Sequence, residues 1–198
     1  PLANHLSAVL GTKVAPVIMS DFKKYESQIL ANSLDIGFQN PYVYAKVAGA
    51  HEAVAMAVGG DESDPGSGGD KFRGIIITRA DSSIQTVEQL KGRLVSIVSQ
   101  TSAGGYLSQK LTLNEKGLVV GRDVRIQEAL ENKQENVILS VYYGDADAGF
   151  IRESALGTVA NYVPANKIRV ITHTAWLPNW TLSIRKTLPD YQKKEIRR

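Results

Sequence analysis

Apolar residues recur along the chain at two alternating periods, one suited to helices and one to strands. Leu2, Leu6, Val9 and Leu10 return at helical spacing until Gly11 stops the run, which predicts an amphipathic helix over 2–10. The short apolar run from Val14 to Met19 reads as a strand. Ser20 or Asp21 then caps a helix through Ala31, with Phe22, Tyr25, Ile29 and Leu30 on one face. Residues 34–39 predict a strand, Asn40-Pro41 opens a helix near 41–48, and 51–58 predict another strand. The stretch 59–71, rich in Gly and acidic residues, reads as a surface loop before an Ile-rich strand over 72–79.

The second half repeats the alternation. A short helix is expected over 86–91 and a strand over 93–98, and a Ser/Thr/Gly turn at 99–105 opens a helix that runs to about 115. Strands at 124–128 and 145–150 bracket a helix at 133–143, and a further helix is expected near 152–159. Strands at 167–172 and 181–185 follow, with Pro189 at the first position of a last helix. Strands alternating with helices predict an α/β fold with mostly parallel sheets, arranged as two lobes facing a ligand cleft. The chain opens inside a helix where such a lobe usually opens with a strand, so a first strand is expected ahead of residue 1.

Composition narrows the class. The 198 residues are 43% hydrophobic and 22% charged, which excludes general disorder, and no run approaches the ~20 apolar residues of a membrane-spanning helix. The net charge of +3 owes much to Arg185, Lys186, Lys193, Lys194, Arg197 and Arg198 near the end. The remainder lacks the basic stripe of a nucleic-acid binder, so no nucleic-acid partner is expected. Zero Cys removes disulfide scaffolds, thiol nucleophiles and Cys-based metal sites, and suits an oxidising compartment. Pro1 has no Met before it, so any leader would already have been removed.

The inventory for catalysis is thin. His5, His51 and His173 show no metal-ligand spacing and read as structural or solvated. Asp145-Ala-Asp147-Ala-Gly149 starts like a calcium loop, but Leu156 stands where its closing Glu is required, so the segment reads as a strand start. Ser102 lies outside any G-x-S-x-G elbow. No catalytic set, metal or cofactor is expected. One turn stands apart: Thr101, Ser102, Ala103, Gly104, Gly105 and Tyr106 follow a strand and open a helix. Free N–H groups, hydroxyls and small residues there make an anion seat, or simply a capped helix packed tightly. Turns at Ser20–Phe22 and Asn40–Tyr42 also end strands, where open α/β sheets bind ligands.

Several short motifs occur in a specific order: Leu2-Ala3-Asn4-His5-Leu6, Ser20-Asp21-Phe22, Leu34 through Tyr42, Arg79 through Ile84, Leu90-Lys91-Gly92, Gly144 through Gly149, Leu177-Pro178-Asn179 and Ile184 through Pro189. Their series resembles the phosphate/phosphite/phosphonate-type periplasmic solute-binding proteins of ABC transporters, within the type II periplasmic binding fold. The resemblance implies one lobe of 1–79 plus 173–198 and a second of 83–170, with crossings near 78–82 and 170–174. It implies a ligand site of Ser20, Phe22, Asn40, Tyr42, the 101–106 turn, Gln134 and Arg152. Two of three hydroxyl donors in the family's phosphonate turn are replaced by Ala103 and Gly104. Gln134 falls near a family imidazole, Trp180 takes one acidic position that reads an aminoalkyl tail, and Arg152 and Glu153 lie near another.

The resemblance further implies an extracytoplasmic protein that is not an enzyme. It clamps a small anionic or polar solute for a membrane permease or, alternatively, serves as the periplasmic sensor domain of a histidine kinase or cyclase with a fused signalling output. The lost donors lead us to expect weak binding of phosphate and aminoalkylphosphonates and preference for a less charged solute, since a dianion without a full donor set is costly to bury.

Overall fold

A computed structural model describes residues 1–19, 22–58 and 67–198. In chain order the elements are α1 (Leu2–Leu10), α2 (Phe22–Leu30), β1 (Ile36–Gln39), α3 (Pro41–Val47), β2 (His51–Met56), β3 (Ser67–Gly68), β4 (Lys71–Arg79) and β5 (Leu94–Ile97). There follow a π-helical turn at Ala103–Leu107, α4 (Ser108–Glu115), β6 (Arg125–Glu128), α5 (Gln134–Tyr143), β7 (Ala148–Arg152), α6 (Ala155–Thr158), β8 (Ile168–Pro178), β9 (Thr181–Arg185) and α7 (Asp190–Ile196). They fall into two compact units, one of 1–57 with 179–198 and one of 58–178.

In the first unit β9 lies between β1 and β2 and is antiparallel to both. Ile29, Val43, Val47 and Ile184 are fully or almost fully buried there. Gly11 ends α1 in the left-handed region at φ 61°, which a side chain would resist. The strand expected at 14–19 does not form. A strand needs a neighbour for its backbone groups, none of the described strands pairs with this stretch, and Ile18 is 96% exposed.

In the second unit the strand order is β3-β4-β7-β5-β6, with β8 also paired to β4. β5 runs parallel to β6 and β7, while β4 runs antiparallel to β3, β7 and β8. The α/β class is as expected, but the sheets are mixed, and among the described strands parallel pairing runs through β6-β5-β7. Period-two alternation along β4 sends Ile76 to a core with Phe150, Ile97 and Leu113 of α4. It sends Ile75 and Ile77 to a second core with Val137, Ile138 and Val141 of α5.

Several boundaries move. The expected crossings near 78–82 and 170–174 lie inside the second unit, because β4 and β8 pair along their length from Lys71↔Pro178 to Arg79↔Ile168. The chain instead passes between units at 57/58 and 178/179. The strand placed at 145–150 begins at Ala148. Residues 144–146 turn back onto the carbonyls of α5, with both Asp145 N–H and Ala146 N–H donating to Ser140 O. The helix at 86–91 shrinks to one 3-10 turn, Glu88–Leu90, and Pro189 caps the last helix from outside it. Most of the expected loop at 59–71 lies outside the described residues, and its end pairs as the β3–β4 hairpin.

Candidate ligand-binding site

The 101–106 turn leaves the end of β5 and becomes a π-helical turn before it settles into α4. Leu107 N–H donates to Ser102 O at 2.9 Å, and Ser108 N–H donates to Ala103 O, both spanning five residues. This wider turn postpones the first helical bond, and such turns are common at functional sites. Ser102 is the N-cap, its Oγ accepting from Gly105 N–H at 3.1 Å. The N–H groups of Ala103 and Gly104 make no hydrogen bond among the described residues, although both residues are buried. Two free donors at the start of a helical run are what an oxyanion requires. Thr101 Oγ1 lies 3.3 Å from Ser99 Oγ. Tyr106 departs from expectation: its ring is 5% exposed and belongs to the core with Ile76 and Phe150, beneath the Lys110 ammonium.

Residues from distant strands hold this turn. A Cβ on Gly104 would stand 2.6 Å from the Phe72 ring, so the turn approaches β4 closely only because residue 104 is glycine. The Arg152 guanidinium lies over the same ring, 4.7 Å from its centroid, a cation–π contact that keeps a positive charge beside the turn. Gln134 opens α5 and accepts from Arg152 N–H at 2.9 Å, so two expected site residues are joined directly. Gln109 is fully buried, and its Nε2 lies 2.8 Å from Gly104 O, 3.0 Å from Ile151 O and 3.2 Å from Ile75 O. Gly74 makes the space, since a Cβ there would meet Gln109 Nε2 at 2.3 Å. Phe72 and Gln109 escaped sequence reading. The only signal was a polar residue, Gln109, on the core-facing side of a helix between Leu107 and Leu113.

In the first unit Asn40 is 3% exposed and caps α3, its Oδ1 accepting from Val43 N–H at 3.0 Å. Tyr42 follows on the half-exposed face of α3, with the Lys46 ammonium 5.4 Å from its ring centroid. Phe22 packs edge-on against Trp180 at 6.3 Å, and Phe38 lies 5.3 Å from Trp180, giving an aromatic cluster built from α2, β1 and the start of β9. Ser20 lies outside the described residues.

Arg73 holds Glu153 at 2.5 and 2.9 Å, His173 Nε2 lies 3.1 Å from the same carboxylate, and the Arg73 guanidinium stacks on Trp176 at 4.7 Å. Burial pushes the Glu153 carboxyl up, but Arg73 and then His173 outweigh it and hold the group below the usual range. Asp147, in the segment that begins like a calcium loop, accepts from Leu94 N–H at 2.9 Å. Among the described residues, no group of three or more His, Asp or Glu could hold a metal ion. A depression of about 620 Å³ lies elsewhere in the second unit, between Arg79, Asp81, Tyr143 and Lys167.

Two α/β units, one of them carrying a glycine-rich helix opening with unbonded backbone donors, have the form of a small-solute-binding protein. Comparison with known proteins agrees: over residues 1–198 the chain matches the family described as ABC transporter, phosphonate, periplasmic substrate-binding protein, and it belongs to that family. It is 30% identical over 156 residues to the phosphate-import protein PhnD of Mycolicibacterium smegmatis, covering 76% of this chain and 48% of that protein. The chain thus spans about half the length of the curated relative. Among solved structures, XAC2383 from Xanthomonas citri bound to chloride ion superposes with a TM-score of 0.83 at 18% identity, over 100% of this chain and 74% of the other. PhnD1 from Prochlorococcus marinus in complex with methylphosphonate does so at 0.78 and 15%, over 99% and 74%. The family is one of substrate-binding proteins, not of enzymes.

Proposed function

We propose that the chain is the ligand-binding part of an extracytoplasmic solute-binding protein that delivers a small oxyanion of the phosphonate class to a membrane permease. The observation that carries this reading is the pair of buried, unbonded N–H groups at Ala103 and Gly104, beside the Ser102 and Thr101 hydroxyls. The Arg152 guanidinium over Phe72 adds the positive charge that Ala103 and Gly104 cannot supply as side chains. Within the first unit, Asn40, Tyr42, Phe22 and Trp180 are separate candidates for ligand contact in this reading. Two backbone donors and two hydroxyls suit a singly charged oxyanion better than a dianion, whose unmet charge is costly to bury. Transport is favoured over a fused signalling output, because the family and the M. smegmatis relative are both described as transport proteins.

Calorimetry with methylphosphonate, phosphite and phosphate tests the reading. We expect methylphosphonate to bind in the micromolar range or tighter, and Ser102→Ala to weaken it by about 1–2 kcal/mol, the scale of a hydrogen bond to a charged group. Absence of heat or thermal stabilisation with all three anions at millimolar concentration overturns it.

A further inference from the structure

A line of buried side chains crosses the first unit from the loop before β1 to α2. His51 Nε2 lies 3.1 Å from Leu34 O, and its Nδ1 lies 3.0 Å from Ser183 Oγ. Gln39 Nε2 donates to Ser183 Oγ at 2.9 Å, and Tyr25 O–H donates to Gln39 Oε1 at 2.6 Å. His51, Ser183 and Gln39 are all fully buried. One proton arrangement satisfies the whole line. A carbonyl can only accept, so the imidazole carries its proton on Nε2 toward Leu34. Nδ1 then has a lone pair and accepts from the Ser183 hydroxyl, whose oxygen is left to accept from Gln39. Gly37 makes this possible, since a Cβ there would stand 2.5 Å from the Tyr25 oxygen and 2.6 Å from Gln39 Oε1.

The line ends at the turn placed in the binding site. Gln39 is followed directly by Asn40, the cap of α3, and then by Tyr42. We propose that His51 is a positioning residue and a proton-sensitive latch: neutral, it fixes Gln39 and the Asn40–Tyr42 turn for ligand, and protonated, it frees that turn. A proton on Nδ1 removes the acceptor of the Ser183 hydroxyl and sets two donors against one oxygen, leaving a buried O–H unmet.

The surroundings resist that proton until the medium is acidic. Burial, then the positive charge of Arg185 across the β2–β9 pairing, hold the imidazole below its ordinary value. The bond to Leu34 O and the charge of Asp35 act the other way. Asp35 is itself held by Arg185 Nη2 at 2.8 Å. Glu52, next along β2, is taken by Lys193 and Arg197, and Glu26 of α2 is taken by Lys46 of α3. On α2, burial pushes the Tyr25 hydroxyl up to about 12, so it remains a donor throughout.

The latch rests on the proposed function in one respect, that the turn meets the ligand, so the test has two arms. In the first, NMR of the chain follows the His51 ring and the Asn40 and Val43 amides from pH 7.5 downward. The Nε2-protonated tautomer is expected at pH 7.5, with both amide signals shifting at the midpoint of the His51 ring. In Ser183→Ala the amides no longer follow the ring. An Nδ1-protonated tautomer, amides that stay fixed while His51 titrates, or a His51 that stays neutral until the chain unfolds overturns the proposal. Should Ser183→Ala not fold, the wild-type titration decides alone. In the second arm, methylphosphonate affinity is expected to fall at least fivefold more between pH 7.5 and 5.0 in the wild type than in Ser183→Ala. The ligand's own ionisation cancels in that comparison, and an equal fall in both overturns the coupling to ligand. If methylphosphonate binds at no pH, the proposed function fails, and the amide coupling still decides the latch.

Discussion

Gln109 Nε2 lies 2.8 Å from the carbonyl oxygen of Gly104, tying the first turn of the helical run to a buried amide that also reaches β4 and β7. The geometry of the 101–106 turn thus depends on a fully buried side chain from α4. Gln109→Leu keeps the volume but leaves those carbonyls without this donor, and each unmet buried polar group costs about 1–3 kcal/mol. We expect a loss of roughly 2–4 kcal/mol in urea unfolding, with weaker methylphosphonate binding in the fraction that stays folded. A variant within 0.5 kcal/mol of wild type, a rough bound for substitutions without structural role, would show that the turn holds itself.

The contact between Gly104 and Phe72 makes a paired prediction. Gly104→Ala places a methyl 2.6 Å from the ring, so the ring or the turn must move. Overpacking of this kind costs about 1–3 kcal/mol. Phe72→Leu alone opens a cavity in a site 2% exposed and also destabilises. The double variant should lose less stability than the sum of the two single losses, because each change relieves the other. Strict additivity in thermal unfolding would place the strain elsewhere.

How far the sequence revealed this protein follows from which interactions are local. The 101–106 turn was legible because a Ser cap, two glycines and the preceding strand lie next to one another. So was the cap at Asn40, with Pro41 at the first helical position. What holds these turns was not legible. Phe72 and Gly104 are 32 positions apart, and Gln39 and Ser183 are 144 apart, brought within hydrogen-bond reach by the pairing of β1 with β9. The unit boundary was misplaced for a similar reason: the β4 and β8 runs look like ordinary strands until their antiparallel pairing assigns both to one sheet. Val14–Met19 failed in the opposite way, with a strand-like composition but no partner among the described strands.

Ser102→Ala should separate capping from binding. Loss of the bond to Gly105 N–H costs about 1 kcal/mol of stability if the hydroxyl acts as a cap. Ser102→Asn, which can also cap, should restore the stability without restoring methylphosphonate affinity. Recovery of both would mean that the side chain caps the helix and touches no ligand.

Acid should loosen the second unit through Glu153. Its carboxyl is held below its ordinary value of 4.5 in the folded chain, chiefly by Arg73, so the ionised form adds stability above that value. This contribution is lost as pH falls through the depressed folded value, because the unfolded chain takes up the proton first. Glu153→Gln should therefore be less stable than wild type at pH 7, and the gap should close as pH drops below about 4.5. Urea unfolding at pH 7, 5 and 3.5 reads this, and a gap independent of pH would remove charge as its cause.

The last prediction concerns what the ligand carries besides its acid group. The Arg152 guanidinium, fixed over Phe72 and joined through its backbone to Gln134, sets a positive charge beside the turn that opens α4. A ligand whose tail ends in an ammonium meets like charge there. Like charges that approach within a few ångströms in a partly dry site cost more than 1.4 kcal/mol, which is a factor of ten in affinity. Methylphosphonate should therefore bind at least about tenfold more tightly than 2-aminoethylphosphonate. Arg152→Glu should reverse the order by supplying an acceptor for the ammonium while repelling the bare anion. Arg152→Gln should bring the two affinities together, since it removes the charge without replacing it. Calorimetric titration of both ligands against all three proteins measures the ratio directly. Tighter binding of the amino compound to the wild type would mean that Arg152 does not face the ligand's tail.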